Sequence, residues 1–163
     1  MRKNRGGFTL LEMLVALPIA LLILAGALLL FRVGIDSFNL AYRNSDAHYA
    51  LRHARTYLLE DITAGQGYVI YDRPNGSRLR DGTPGGCLEI FRTTEAGNVY
   101  RVQYYADLQQ FYRVDGSNKA PVTELMRSAR FTGLGDGLVR IELEAGTRDE
   151  TYFSCFKSGV RAR

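Results

Sequence analysis

Histidine and cysteine are scarce in this chain, and their scarcity argues against most catalytic and metal-binding sites. The 163 residues include two histidines and two cysteines. His48 and His53 are five positions apart on a predicted helix, so they do not share a face as an i, i+4 metal-binding pair would. No serine lies in a nucleophile-elbow context, and neither cysteine has a histidine nearby. We therefore expect no enzyme activity, no cofactor and no metal.

Charged residues are also absent between Met13 and Phe31. As a helix, this apolar run of about 19 residues would extend about 28 Å, which is enough to cross the hydrocarbon core of a membrane. Arg2, Lys3 and Arg5 precede the run, and the positive-inside bias keeps such a basic N-terminus in the cytoplasm. The part of the chain that follows the run is then expected outside.

The overall charge gives no argument for a nucleic-acid-binding face. The formal net charge is +4, from 21 basic and 17 acidic residues. Without the three basic residues in positions 2–5, the balance falls to 18 against 17. The sequence pI of about 9.2 therefore reflects the N-terminal segment in part.

A short motif, residues 6–12, joins the basic segment to the apolar run and reads Gly-Gly-Phe-Thr-Leu-Leu-Glu. It resembles the class III signal of type IV prepilins and type II secretion pseudopilins. In that family a membrane peptidase cuts after the glycine and the new N-terminal residue is methylated. The resemblance implies cleavage after Gly7 and N-methylation of Phe8.

Glu12 is the one charge close to the apolar run. A carboxylate within an apolar membrane helix costs about 3 kcal/mol at mid-membrane, so it is a functional candidate by default. Glu12 lies one helical turn after Phe8, whose ammonium would be exposed by cleavage, so it could pair with that ammonium or with the ammonium of a neighbouring subunit. The resemblance implies that Glu12 pairs with the ammonium of a neighbouring subunit and sets the axial register during assembly. The simpler alternative is a juxtamembrane charge without a role.

Two other interpretations of the apolar run stay open. It could be a secretory signal peptide with the small residues 25–27 as its cleavage site, although the apolar run continues through residues 28–31. It could also be a plain signal anchor, which leaves the motif at residues 6–12 unexplained.

Residues 32–64 are predicted to continue as an amphipathic helical stem that ends before Gly65 and Gly67. Apolar residues recur at spacings of four and three along one face, which predicts packing on a sheet. These residues are Ala47, Leu51, Ala54, Leu58 and Ile62. Glu60 and Asp61, near the end of the stem, are interpreted as solvated charges.

Aromatic residues form two further groups. Phe38, Tyr42 and Tyr49 make a second line along the stem, which is core, the edge of the stem or a contact between subunits. A set of tyrosines and arginines in the C-terminal half could form a basic aromatic surface for single-stranded nucleic acid, although strand preference explains the same residues. That set is Tyr100, Arg101, Tyr104, Tyr105, Tyr112 and Arg113.

Beyond residue 67 the apolar residues alternate with polar ones, which predicts β-strands. The predicted strands are residues 68–71, 87–92, 99–105, 110–114, 138–144 and 151–157. Residues 122–130 are predicted to form a short helix or an irregular strap, and the glycine-rich residues 133–137 to form a turn. Short strands with hairpin-length gaps predict a mainly antiparallel sheet, and its folding into two layers stays open.

Cys87 and Cys155 both fall in the part of the chain predicted to lie outside the cytoplasm, where disulfides form. A bridge between them would close a loop of about 70 residues and contribute about 4 kcal/mol by the chain-entropy model. The alternative is two buried free thiols. We favour the bridge.

The order of a membrane helix, a stem and a β-rich domain resembles that of the larger minor pilins and pseudopilins, in particular the J-type pseudopilin and the W-type minor pilin. The resemblance implies an α+β, pilin-like fold, in which a long N-terminal membrane-spanning helix and an amphipathic stem pack on an antiparallel β-sheet domain. The implied divisions are a leader (1–7), a transmembrane and assembly helix (8–31), a helical stem (32–64) and a β-rich globular domain (65–163).

The same resemblance implies a structural function, that of a minor subunit in the initiation or tip assembly of a type IV pilus or pseudopilus. Its partners would be the prepilin peptidase and N-methyltransferase, other major and minor pilins, the inner-membrane assembly platform with its ATPase, and membrane lipid. It would cross the bacterial inner membrane once, with its C-terminal domain outside, before entering the filament. The alternative is a tip adhesin or a DNA-binding minor pilin of a competence pilus, so nucleic acid stays an open partner. An anchored exported enzyme is a third interpretation.

Overall fold

The computed structural model describes residues 9–146 and 150–160. Within them, one long α-helix precedes nine β-strands, and every strand pairing is antiparallel. The helix, α1, runs from Leu10 to Ala64 and contains Pro18. The α+β, pilin-like architecture expected from the sequence is therefore confirmed.

The chain divides into two compact units, Met1–Tyr42 and Arg43–Arg163. In the first unit, the described residues belong to the apolar N-terminal part of α1, apart from Thr9. The second unit contains the rest of α1 and all the described strands. The division falls inside the predicted stem, so the domain bounds taken from the resemblance stay a prediction.

The strands form two sheets. In chain order they are β1 (Gly65–Tyr71), β2 (Pro84–Gly85), β3 (Cys87–Thr93), β4 (Val99–Asp107), β5 (Gln110–Asp115), β6 (Asn118–Glu124), β7 (Met126–Gly135), β8 (Leu138–Gly146) and β9 (Thr151–Gly159). The first sheet has five strands in the order β1-β3-β4-β5-β6, and the second has four in the order β2-β7-β8-β9. The predicted antiparallel pairing is therefore divided between two sheets.

The apolar stripe predicted for the stem is buried, as the spacing indicated. Its members Ala47, Leu51, Ala54, Leu58 and Ile62 are at most 6% exposed. All of them except Ala47 join one hydrophobic core with residues of both sheets, including Leu88 and Ile90 from β3, and Phe131 and Ile141 from β7 and β8. The second unit is therefore held together by helix-on-sheet packing.

Gly65 explains why α1 passes directly into β1. A Cβ atom at this position would lie 2.7 Å from Cγ2 of Ile90 and 3.1 Å from the carbonyl oxygen of Asp61. Only a residue without a side chain lets the first strand begin this close to β3. The predicted end of the helix is confirmed.

All six predicted strands lie within observed strands, but the prediction for residues 122–130 is wrong. These residues belong to β6 and β7, which are separated by Leu125 with a φ of 61°. Pro121 and the exposed residues of β6 hide the period-two pattern, and a register shift between Met126 and Ser128 interrupts it in β7. The predicted turn at 133–137 is shorter than expected, because β7 continues to Gly135.

Candidate processing and assembly site

Thr9 and Glu12 form a capping box at the start of α1. The backbone N–H and the hydroxyl of Thr9 both donate to Oε2 of Glu12 at 2.9 Å. In return, the backbone N–H of Glu12 donates to Oγ1 of Thr9 at 3.3 Å. A capping box satisfies backbone donors that the first helical turn leaves without partners. Here it also turns the Glu12 carboxylate toward the N-terminal end of the helix.

The capping box was not predicted, although its signature is present in the sequence. Thr9 precedes the first helical residue, and a glutamate follows three positions later, at the start of an apolar run. The motif at residues 6–12 thus contains two overlapping signals, one for processing and one for helix initiation. Gly7 and Phe8 lie outside the described residues, so cleavage and methylation at these positions stay predictions.

The helix that follows Glu12 exposes apolar side chains in the first unit. By length and composition, α1 is the one described helix that could cross a membrane, and none of its most apolar segment is buried. It lies near the N-terminus, where a signal sequence would pass the same test. A solvent-exposed apolar surface of this size requires lipid or other helices around it.

Asp61 is at the centre of a buried polar cluster in the second unit. It is 3% exposed, and its Oδ2 accepts hydrogen bonds from Nε of Arg113 at 2.8 Å and from the Tyr104 hydroxyl. Its Oδ1 accepts one from Nη1 of Arg92. The interpretation of Asp61 as a solvated charge is wrong, because it follows Leu58 by three positions and faces the sheet with it. Glu60 is exposed as expected.

This cluster connects α1 to three strands of the first sheet, since Arg92 lies on β3, Tyr104 on β4 and Arg113 on β5. The hydrogen bond to Asp61 raises the pKa of Arg113. Burial, followed by the same carboxylate, raises the pKa of Tyr104. Both groups keep their protons at neutral pH, so each can donate its hydrogen bond to Asp61 there.

The predicted basic aromatic surface is not assembled. Tyr104 is fully buried, and the guanidinium of Arg113 is bound to Asp61 on the same face of the sheet. Tyr105 points to the opposite face of the sheet from Tyr104, because successive residues of a strand alternate. On that face its ring lies 5.5 Å from the ring of Tyr112, and Nζ of Lys119 lies 3.8 Å from the Tyr112 centroid.

The two histidines pack against different neighbours. The His48 ring lies 4.4 Å from that of Tyr152, while Nδ1 of His53 lies 3.1 Å from the carbonyl oxygen of Val122. Within the described residues, no group of three or more His, Cys, Asp or Glu side chains could hold a metal ion.

The aromatic line predicted along the stem is exposed. Its three members, Phe38, Tyr42 and Tyr49, are each more than 60% exposed, so they are not core.

The disulfide that we favoured is not formed. Cys87 is buried in β3 of the first sheet, whereas Cys155 is exposed on β9 of the second, and both are free thiols. The buried-thiol alternative therefore holds for Cys87 alone. An oxidising compartment permits a bridge, but the fold decides which strands bring two cysteines within reach.

Comparison with known proteins finds a match at the N-terminus. A family model described as the prokaryotic N-terminal methylation motif matches residues 2–28. No curated protein and no solved structure matches the chain. The segment that contains Gly7, Phe8 and Glu12 therefore carries a prepilin-type methylation motif, which supports a type IV pilin-like protein.

Proposed function

We propose that this chain is a structural subunit, a minor pilin or pseudopilin that takes part in the initiation or tip assembly of a type IV pilus or pseudopilus. The observation that carries the proposal is the Glu12 carboxylate, which is turned toward the N-terminal end of an exposed apolar helix within a methylation motif. The prepilin peptidase would remove the leader, residues 1–7, and methylate Phe8.

Cleavage supplies the positively charged partner that the Glu12 carboxylate lacks. Hydrolysis of the bond between Gly7 and Phe8 leaves an ammonium on Phe8, and N-methylation preserves its positive charge. The contacts from Thr9 both end on Oε2 of Glu12, so the capping box orients the carboxylate for a second donor at Oε1. A charge-assisted hydrogen bond from the ammonium of a neighbouring subunit would offset the cost of holding the carboxylate in an apolar environment.

The remaining parts of the chain have distinct roles in this proposal. The helix of residues 8–31 anchors the subunit in the inner membrane and later packs against other pilins in the filament. The stem, residues 32–64, carries the exposed aromatic residues Phe38, Tyr42 and Tyr49, which are suited to contacts between subunits. The β-rich domain, residues 65–163, lies outside the cytoplasm, and the assembly platform with its ATPase drives insertion into the filament.

Mass spectrometry of the mature N-terminus tests this function. The expected first residue is a methylated Phe8 in cells that contain the peptidase, and Met1 in cells that lack it. A mature protein that begins near residue 28 in both strains would instead identify a secretory signal peptide and would overturn the proposal. A protein that retains its leader in both strains would identify a signal anchor.

A further inference from the structure

Among the described residues, three of the four sheet edges are short, partly covered or irregular. On β1, Tyr71 bridges Arg78, and the backbone N–H of Leu79 donates to the carbonyl oxygen of Ile70 at 2.8 Å. The edge strand β2 has two residues. The edge strand β6 contains Pro121, and its pairing with β5 is interrupted by a register shift. Such features are typical of edges that do not pair with another chain.

The fourth edge, β9, has none of these features. Its nine residues each pair with one residue of β8, and these pairs, all between described residues, run without a register shift. The strand contains no proline, and Lys157 is its one charged residue. Within the described part of the chain, no other strand pairs with its outer edge. A long, regular and almost neutral edge is a ready template for a further strand.

The stem holds β9 in place for such pairing. On the inner face of the strand, the Tyr152 ring lies 4.4 Å from the His48 ring, and the guanidinium of Arg55 lies 5.1 Å from the centroid of Phe156. On the outer face, Phe153 is 76% exposed. The strand is therefore anchored from one side, which lowers the entropic cost of adding a partner along its edge.

We propose that β9 pairs antiparallel with β9 of a second copy of this chain. The proposal goes beyond the assembly function and does not depend on cleavage after Gly7. The register that pairs all nine residues has Cys155 at its centre and places Phe153 opposite Lys157 of the second copy. An aromatic ring then lies opposite an ammonium, and no like charges are opposed. The second copy is inferred as the occupant because the strand is complementary to itself in this register.

Cysteine crosslinking in membranes that contain the full chain tests this pairing. With copper phenanthroline and oxygen as the oxidant, two thiols lose two electrons and two protons and form one disulfide. We expect a covalent dimer with a Cys155–Cys155 link, identified by peptide mass spectrometry. It should persist in Cys87→Ala, since Cys87 is buried, and be lost in Cys155→Ser. The absence of a dimer, or a link from Cys155 mainly to another protein, overturns the proposal.

A matched control separates pairing from random collision. Ala96 is exposed in the turn between β3 and β4, so Ala96→Cys in the Cys155→Ser background presents an accessible thiol away from β9. We expect this variant to give at most a tenth of the dimer that Cys155 gives. Equal yields from the two positions would show that the Cys155 link reports collision, and would overturn the proposal.

A charge exchange tests the register. Phe153→Lys faces Glu144 within its own sheet, but in the proposed dimer it faces Lys157 of the second copy. Adding Lys157→Glu restores an attractive pair between the copies and faces Arg140 within the chain. We expect crosslinking to fall at least about threefold in Phe153→Lys and to recover in the double variant. Equal crosslinking in both variants, at equal protein levels, overturns the register.

Discussion

Nε of Arg113 on β5 donates a hydrogen bond of 2.8 Å to Oδ2 of Asp61 on α1, across 52 positions of sequence. Nη1 of Arg113 lies 3.4 Å from Oδ2 of Asp115. Arg92 approaches Asp61 from β3, so two carboxylates and two guanidiniums balance one another where the helix meets the sheet. A charge group of this kind, with a buried carboxylate between two partly buried guanidiniums, holds its elements in one arrangement as long as every member is present.

Replacing Asp61 with alanine should therefore destabilise the second unit strongly. Both guanidiniums would lose their buried partner, and we expect the free energy of unfolding to fall by about 3–5 kcal/mol. The measurement is urea unfolding of the purified full chain in detergent, followed by tyrosine fluorescence. The neighbouring exposed residue provides the control, since Glu60→Gln should change stability by less than about 0.5 kcal/mol. Similar effects from the two variants would contradict the structural role of Asp61.

The two free cysteines should differ in reactivity. Burial, with a smaller contribution from the charge of Glu89, raises the pKa of Cys87 to about 12, and the thiolate is the reactive form. At pH 8 we expect iodoacetamide to label Cys155 at least tenfold faster than Cys87 in the folded chain, as measured by peptide mass spectrometry. In urea the two rates should become equal, which serves as the control. Fast labelling of Cys87 in the folded chain would contradict its burial.

The same pKa shift predicts a loss of stability in alkali. In the unfolded chain the Cys87 thiol ionises near its ordinary pKa of 9.0, while in the folded chain it does so near 12. The folded state therefore holds the proton more tightly than the unfolded state does. The contribution of the protonated Cys87 thiol to the free energy of unfolding is complete below pH 9 and is lost as the pH rises toward 12. In Cys87→Ala, unfolding measured across this pH range should show a shallower decline than in the parent chain. An identical decline of stability with pH in the two chains would contradict the raised pKa of Cys87.

A feature of this fold could be predicted when the residues that determine it lie close together in the sequence. The stripe from Ala47 to Ile62 was predictable because helical spacing is a local property, and its members are buried. Asp61 was misinterpreted because its partners, Arg92 and Arg113, come from strands that the helix meets only in the folded chain. A charged residue carries no local sign of burial when its partners are distant in sequence.

The strands show the same limit. A regular strand such as β8 was predicted because Val139, Ile141 and Leu143 alternate with polar residues without interruption. In β7 the register shift after Met126 breaks the alternation, so the pattern no longer indicated a strand. The capping box of Thr9 and Glu12 is different, because its signature is local and was available from the sequence.

The junction of α1 and β1 gives a test of packing at a glycine. Gly65→Ala should destabilise the second unit by about 1–3 kcal/mol, because its Cβ would lie 2.7 Å from Cγ2 of Ile90. Gly67→Ala is the matched control, since its Cβ would make an ordinary contact of 3.8 Å with Phe91. Urea unfolding of the two variants checks the difference. An equal or smaller loss of stability in Gly65→Ala would show that the junction relaxes around the new methyl group.

Substitution of Glu12 gives the sharpest test of the proposed assembly role. We expect Glu12→Ala to leave cleavage after Gly7 and methylation of Phe8 largely intact, while filament formation falls at least tenfold, because the carboxylate that would bind the neighbouring ammonium is gone. Mass spectrometry of the N-terminus reports processing, and quantification of sheared filaments reports assembly.

Two further variants separate the charge of Glu12 from its capping contacts. Glu12→Gln keeps an oxygen that accepts from Thr9 but removes the charge, so it should cap the helix and still fail to assemble. Thr9→Ser keeps both the hydroxyl and the charge, and should process and assemble like the parent chain. Assembly at the parental level in Glu12→Gln would show that the carboxylate acts through helix capping alone, and the ion pair between subunits would have to be abandoned.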